Sequence, residues 1–162
     1  MTLAVGDKLP SATFVEMGPD GPRQVAAADV FAGRRVAFFG LPGAFTGVCS
    51  TRHIPSFMRV MPELKAKGVD EVVCIAVNDP FVLAAWGKDT GATAAGIRLL
   101  GDPGSDFVKA IGLDFGNPAV GFYGRSKRFA AFAEDGVVKV LNVEASPGEC
   151  ELSGGESLLA AI

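Results

Sequence analysis

The sequence contains little histidine, little cysteine and no long apolar run, and each shortage excludes a class of protein. It has one histidine and three cysteines, without CxxC spacing, so it lacks the paired ligands of a zinc site. The odd number of cysteines favours free thiols in a reducing compartment over a disulfide framework. The longest apolar runs, VAFFGLPGAF and VVCIAV, are shorter than the roughly 18 residues that a membrane span requires.

The sequence also has no large excess of positive or negative charge. The net charge is -3 and no basic run is present, which argues against nucleic acid or anionic lipid as the main partner and favours a small substrate. The N-terminal segment MTLAVGDKLP lacks a basic region followed by an apolar core, so we expect a cytoplasmic protein. With 162 residues, 49% of them hydrophobic, and no repeat or linker, residues 1–162 are predicted to form a single domain.

Strand and helix patterns alternate along most of the chain. RRVAFFG (34–40), EVVCIAV (71–77) and IRLLGD (97–102) are short apolar runs typical of strands covered on both faces. Apolar residues recur at helical spacing from Thr51 to about Ala66, where Gly68 follows, and SKRFAAFA and VVKVLNVE flank an Asp-Gly turn. GGESLLAAI reads as a final helix. This order predicts an α/β, thioredoxin-like fold with a central mixed sheet flanked by helices.

Local signals predict further elements. SATFVEM and the segment that runs on to VFAG are separated by GPDGP, which predicts an N-terminal β-hairpin extension. Asn78 or Asp79 is expected to cap a helix with Pro80 in its first turn. Ser105 is expected to cap the helix of SDFVKAIGL.

Cys49 follows a strand, lies in a Gly-rich turn and precedes an amphipathic helix. Free N–H groups and the helix dipole at such a position favour a thiolate, and surroundings of this kind lower the pKa of a cysteine. A helix terminus supplies only about 0.3 to 2 kcal/mol, so a nearby cation is also needed. The basic cluster Arg125, Lys127 and Arg128 offers one, although Arg125 and Lys127 are by default solvated charges near a turn.

Thr46, three residues before Cys49, occupies the place of the first cysteine of a thioredoxin redox motif. A hydroxyl there removes the partner for a local disulfide, which disfavours a disulfide reductase. The hydroxyl is instead able to accept one hydrogen bond and donate another beside the sulfur. Together with backbone N–H groups and a guanidinium, it would stabilise charge on a leaving oxygen.

These residues resemble a known family. The pattern P-x-x-x-T-x-x-C, present as Pro42, Thr46 and Cys49, resembles the peroxiredoxin active-site motif. GLPGAFTGVCSTRHIP, VNDPFVLAAWG, RLLGDP, GRSKRFA and DGVVKVLNVE are similar to the type II branch, the one similar to the fifth mammalian peroxiredoxin, over essentially the whole chain. Gly47 departs from the branch, which usually has proline there, and this departure could loosen the turn.

The resemblance implies reduction of hydrogen peroxide and organic hydroperoxides without metal or flavin. Cys49 would be the peroxidatic thiol and pass through a sulfenic acid, Arg128 would contact the thiolate and the peroxide, Pro42 would shield the sulfur, and Thr46 would position the substrate oxygens. The resemblance also implies a homodimer that pairs through the face around the active site. A non-catalytic redox sensor or holdase that uses the same thiol is the alternative.

The remaining thiols leave the recycling route open. Cys150 lies in ASPGECELSGG, which reads as a mobile, exposed loop able to reach an oxidised Cys49, and it resembles the resolving cysteine of the mammalian member. Cys74 lies in a buried strand, which favours an inert thiol, although some members of the branch have their second cysteine there. Direct reduction by glutathione or glutaredoxin, or by thioredoxin, is the other route.

His53 lies four residues after Cys49 and so faces the same side of a helix. A cysteine-hydrolase dyad would require an acidic or amide partner, and none is identifiable in the sequence. We therefore expect a structural histidine that is tied to a backbone carbonyl or to a dimer neighbour.

Overall fold

A seven-stranded mixed sheet forms the centre of the molecule in the computed structural model, which describes residues 2–162. Its strands follow the order β2-β1-β5-β4-β3-β8-β9. They are β1 (Thr13–Gly18), β2 (Gly21–Ala26), β3 (Arg35–Gly40), β4 (Glu71–Ala76), β5 (Ile97–Gly101), β8 (Phe129–Glu134) and β9 (Val137–Val143). A separate two-stranded hairpin contains β6 (Asp114–Asn117) and β7 (Phe122–Ser126).

The central strands are apolar on both faces because each face meets its own hydrophobic core. Along β3, Ala37 and Phe39 point into one core while Val36 and Phe38 point into the other. Such a period of two, with both faces covered, produces a continuous apolar run. β3 pairs in parallel with β4 and antiparallel with β8, so the predicted mixed sheet is confirmed.

Five α-helices cover the two faces of the sheet. The first core receives side chains from α2 (Ile54–Ala66), α3 (Pro80–Thr90) and α5 (Gly155–Ala161). The second receives side chains from α1 (Ala27–Phe31) and α4 (Asp106–Ala110). The predicted thioredoxin-like α/β fold is thus confirmed. Within residues 2–162, every helix is too short or too polar to cross a membrane.

The N-terminal hairpin is also confirmed: β1 and β2 pair antiparallel across the turn at Gly18 and Gly21. The prediction was wrong about its end. The sequence VF belongs to α1 and not to the second strand, because Val30 and Phe31 bury their side chains in the second core as parts of one helical turn. β1 also joins the main sheet through β5.

The two predicted helix caps had different outcomes. Asp79 caps α3 by accepting a hydrogen bond from the Val82 N–H at 3.0 Å, as expected. Ser105 does not cap α4; its hydroxyl donates to the Gly124 carbonyl oxygen instead. The cap is the buried carboxylate of Asp102, which accepts from the N–H groups of Phe107 and Val108 at 3.2 and 3.0 Å.

Candidate active site

The candidate site lies where β3 ends and the chain enters a helix. After Gly40 the chain makes the turn 42–46, and a helical segment then runs without interruption over residues 47–66. Within it, Cys49–His53 forms a π-helical turn, closed by the Ile54 N–H donating to the carbonyl oxygen of Cys49. Cys49 is therefore the third residue of the segment, where unpaired N–H groups favour negative charge.

The Cys49 side chain is completely buried, with 0% relative exposure. Arg128 reaches it from a position 79 residues away in the sequence, and Nη2 donates to Sγ at 3.1 Å. The next residue, Ser50, accepts a hydrogen bond at 2.8 Å from the indole Nε1 of Trp86 on α3. The π-helical turn is therefore held from both the sheet and a neighbouring helix.

Arg128 is fixed by three acceptors and is itself only 2% exposed. Besides the contact with Cys49, Nη1 donates to Nδ1 of His53 at 3.0 Å and Nε donates to the carbonyl oxygen of Pro147 at 2.9 Å. A planar guanidinium with three anchored N–H groups has little rotational freedom. The sulfur consequently faces a cation of defined orientation.

His53 is a neutral hydrogen-bonding link, as its partners require. Nδ1 accepts from Arg128, so Nε2 carries the proton and donates to the Ser153 carbonyl oxygen at 2.9 Å. Burial and the charge of Arg128 lower the pKa of His53 to about 3, although the bond to Ser153 acts in the opposite direction. The expected structural histidine tied to a backbone carbonyl is confirmed.

Thr46 and Pro42 belong to the turn that precedes Cys49. The Thr46 hydroxyl donates to the Gly43 carbonyl oxygen at 2.7 Å, which leaves its lone pairs free to accept. Pro42 is buried, and the Ala44 N–H donates to Oδ1 of Asn78 at 2.9 Å. Gly47 is exposed, and the space around its Cα is open.

The segment around Cys150 is exposed at residues 145–149, 151 and 152, as predicted, but the thiol is not accessible, because Cys150 itself is 9% exposed. The segment packs against the candidate site through the carbonyl oxygens of Pro147 and Ser153, which accept from Arg128 and His53. Ser153 anchors this segment by donating its N–H and its hydroxyl to the carboxylate of Glu144. Burial raises the pKa of Glu144, but these bonds outweigh it and the pKa lies below its usual value. Burial also raises the pKa of Cys150.

Cys74 is buried on β4, with 1% exposure, in the same core as Cys49. Burial first and the neighbouring Cys49 second raise its pKa well above the ordinary value. All three cysteines carry free thiols. In the part of the chain that the structure describes, no three His, Cys, Asp or Glu side chains converge as metal ligands would.

Sequence reasoning missed three groups at this site: the His53 ring as a partner of Arg128, the carboxylate of Glu144, and Arg125. Nη1 of Arg125 donates to the Pro42 carbonyl oxygen at 2.8 Å, so this arginine is not the solvated charge that was expected. The available signal was its place in GRSKRFA, three residues before Arg128. Nothing in its spacing indicates a contact 83 residues away.

Comparison with known proteins identifies the family of this chain. The Redoxin family profile matches residues 4–159. Peroxiredoxin-2E-2, chloroplastic, from Oryza sativa subsp. japonica is 44% identical over 99% of this chain and 73% of its own length. The crystal structure of reduced Prx3 in complex with H2O2 from Vibrio vulnificus is 40% identical and superposes with a TM-score of 0.91, covering 99% of both chains.

A further solved structure, peroxiredoxin 5 from Alvinella pompejana, is 31% identical, with a TM-score of 0.85 over 98% of this chain and 97% of its own. These matches extend over nearly the whole sequence and include both the plant peroxiredoxin-2 proteins and peroxiredoxin 5. The chain therefore belongs to the peroxiredoxins, the thiol peroxidases of the redoxin family, and within them to the type II branch.

Proposed function

We propose that the thiolate of Cys49 reduces hydrogen peroxide and organic hydroperoxides and is converted to a sulfenic acid. The observation that carries this proposal is the 3.1 Å contact between Sγ and Nη2 of Arg128 at the start of a helical segment. The acceptors of Arg128 are a sulfur, an imidazole and a carbonyl, so a thiolate is the anion that offsets this buried cation.

In the reaction, the thiolate attacks one oxygen of the peroxide. A sulfur–oxygen bond forms, the oxygen–oxygen bond breaks, and the other oxygen leaves as hydroxide or alkoxide that takes a proton from water. Sulfur loses two electrons and the peroxide gains them. Arg128 has N–H groups beyond those it donates, and these stabilise the leaving oxygen; Thr46 accepts from the peroxide hydroxyl.

Access to the sulfur requires a local movement. Since Cys49 is 0% exposed, a molecule the size of water does not touch it in this conformation. Cys49 lies in the π-helical turn that follows the turn 42–46, and we propose that these two segments move to admit the peroxide. Pro42, which is buried in the turn 42–46, is the residue we propose to shield the sulfur between turnovers.

An external thiol is the proposed reductant: glutathione, alone or with glutaredoxin, or thioredoxin. Attack on the sulfenic acid by two thiols in turn returns Cys49 to the thiol and yields a disulfide and water. Cys150 and Cys74 are poor candidates for this attack because both are buried and burial raises the pKa of each. For Cys150, displacement would also break the bonds of its segment to Arg128, His53 and Glu144.

A steady-state assay tests the function. Peroxide consumption is measured with each thiol donor for the wild type and for Cys49→Ser, which is expected to abolish turnover. Cys74→Ser and Cys150→Ser are expected to retain turnover with glutathione, since the resolving thiol comes from outside. One equivalent of oxidation per chain without cycling would favour a redox sensor or holdase instead.

We propose a homodimer that pairs around the site. Exposed apolar side chains lie on the segments that meet at the turn 42–46: on the turn itself, at the start of α3 and on the β6–β7 hairpin. They are Phe45, Phe81, Val120 and Tyr123. Apolar patches of this kind mark interaction surfaces.

The cytoplasm is the proposed location. Free thiols at all three cysteines suit a reducing compartment. Fractionation of the native cell is the test, and recovery in an organelle would contradict it.

A further inference from the structure

Arg125 connects the β6–β7 hairpin to the active-site turn. Its guanidinium is half-buried, lies 5.1 Å from the ring centre of Phe122 and donates through Nη1 to the Pro42 carbonyl oxygen at 2.8 Å. Stacking on the ring limits the side chain to one direction. A residue far along the sequence therefore reaches the Pro42–Gly43 peptide, at the start of the turn that carries Thr46.

That turn has a backbone conformation which needs external support. Gly43 has φ +151° and Phe45 has φ +62°, and the second value is uncommon for a residue with a large side chain. Conformations of this kind persist when surrounding groups hold them, and they concentrate at functional sites. The bonds from Arg125 to Pro42 and from Ala44 to Asn78 hold the turn at its first and third residues.

Gly43 lies between these two hydrogen-bonded residues, and its lack of a side chain leaves room for the guanidinium. A Cβ built at Gly43 would overlap Nη1 of Arg125, so only glycine leaves the space that this arginine occupies. The carbonyl oxygen of the same glycine accepts the Thr46 hydroxyl at 2.7 Å. The orientation of the Gly43–Ala44 peptide, which adjoins the Pro42–Gly43 peptide held by Arg125, therefore decides where the Thr46 oxygen points.

We propose that Arg125 is a positioning residue: by holding the Pro42–Gly43 peptide, and through it the adjoining Gly43–Ala44 peptide, it aims the Thr46 hydroxyl at the peroxide, without contacting the sulfur. This inference rests on the proposed peroxidase function. It separates two tasks between neighbouring arginines. Arg128 contacts the thiolate and supplies the charge, whereas Arg125 supplies only the geometry of the acceptor.

Two electrophiles distinguish a misplaced Thr46 hydroxyl from a loss of the Cys49 thiolate. Iodoacetamide needs the thiolate of Cys49 but no oriented hydroxyl, whereas a peroxide needs both. The second-order rates of both reactions at Cys49 are measured at neutral pH by mass spectrometry of the Cys49 peptide. The variants are Arg125→Met, which keeps the length of the side chain but loses its donors, and Arg125→Lys, which keeps one donor.

We expect Arg125→Met to slow oxidation by peroxide by about 10- to 100-fold, since misplacement by about an ångström costs that much, while alkylation stays within about twofold. Arg125→Lys is expected to lie between the wild type and Arg125→Met, because an ammonium still reaches a carbonyl but lacks the planar fork. Gly43→Ala displaces the guanidinium from the other side and is expected to give the same peroxide-selective loss.

Arg35→Met is the matched control. Arg35 also stacks on a phenylalanine, at 5.2 Å from the ring of Phe132, and donates to the backbone carbonyls of Lys67 and Gly68, but it lies at the other end of β3. Its removal is expected to leave the ratio of the two rates unchanged.

Equal loss of both rates in the Arg125 variants, or no loss in either, overturns the proposal. Should Arg125→Met not fold, Arg125→Lys decides by the same ratio. A wild type whose Cys49 reacts with peroxide no faster than free cysteine would instead overturn the peroxidase function, so the two failures are distinguishable.

Discussion

At the scale of single residues, the site depends on a chain of buried partners that runs from sulfur to carboxylate. Arg128 contacts Cys49 and His53, and Ser153 connects His53 to Glu144. Movement of the guanidinium away from the sulfur would break a hydrogen bond to another of these buried partners. Orientation of the cation, and not proximity alone, is therefore built into the residues behind it.

The first prediction concerns the acid sensitivity of His53. Its pKa is lowered from the ordinary value of 6.5 to about 3 in the folded protein. At a pH between these two values, the imidazole is protonated in the unfolded chain and neutral in the folded one. Stability present above pH 6.5 is consequently lost as the pH falls toward 3. The free energy of unfolding is expected to drop by about 1.5 kcal/mol between about pH 6.5 and about pH 5. Urea denaturation over this range measures it.

His53→Gln provides the control, because it removes the only histidine of the chain. The two proteins share all carboxyl groups, so their difference isolates the imidazole. The variant is expected to lose most of the slope over this range. Parallel pH profiles for the two proteins would contradict the assigned protonation state.

At this scale, the sequence predicted the groups that a motif carries and missed those that only folding brings near. Pro42, Thr46 and Cys49 lie within eight residues, and their roles remain predictions from that motif. His53 was predicted to bind a carbonyl, but its bond to Arg128 spans 75 residues and leaves no pattern in the sequence. The contact of Arg125 was missed for the same reason.

At the scale of elements, the helical segment 47–66 carries Cys49, the proposed peroxidatic thiol, near its beginning, with one π-helical turn inserted. Gly47 is its first residue, exposed, with open space where a Cβ would be and without a positive φ. The N–H of a first helical residue has no partner within the helix. A proline therefore fits this position, as it fits the first turn of other helices.

The second prediction follows from this position. Gly47→Pro is expected to stabilise the protein by about 0.4 to 1 kcal/mol, or roughly 1 to 4 °C in Tm, because it restricts the unfolded chain. Calorimetry measures the shift, and peroxide turnover is expected to be retained. Gly121→Pro is the matched control: its surroundings are equally open, but its φ of +80° excludes proline, so Tm is expected to fall. A decrease of Tm for Gly47→Pro would be evidence against the assigned helix start.

Elements were predictable where one local signal decided them. The end of α2 at Ala66 and the Asp-Gly turn between β8 and β9 agree with the sequence. The cap of α4 was misassigned because Ser105 has φ +63°, outside the range of a normal cap, and a more distant carboxylate takes over. The β6–β7 hairpin was not predicted because its strands are short and its turn contains a 3₁₀ helix at Pro118–Val120.

At the scale of the whole molecule, the sheet order brings the site together. β3 and β8 are neighbours, so the chain leaving β3 toward Cys49 lies beside the chain entering β8 at Arg128. Gly40 pairs directly with Phe129, the residue after Arg128. Alternating strand and helix patterns predicted the sheet, but not this pairing, because strand order is not encoded in local periodicity.

The third prediction concerns assembly. Phe81 is 65% exposed beside the site, and Phe81→Glu would bury a charge in the proposed dimer interface. We expect this variant to sediment as a monomer at concentrations where the wild type is a dimer. Val5→Glu changes a side chain of similar exposure, 62%, on the N-terminal segment, and is expected to leave the dimer intact. A wild type that is monomeric, or a dimeric Phe81→Glu, would rule out this interface.

The hydrogen bond from Trp86 to Ser50 gives the molecule an optical probe of its own. Trp86 is the only tryptophan in the chain, it is fully buried, and its indole donates to the residue next to Cys49. Opening of that turn during the proposed oxidation of Cys49 is expected to change the surroundings of the indole and alter its emission. We therefore expect ultraviolet fluorescence in a rapid-mixing instrument to report oxidation and reduction of the protein in real time, without dye or label.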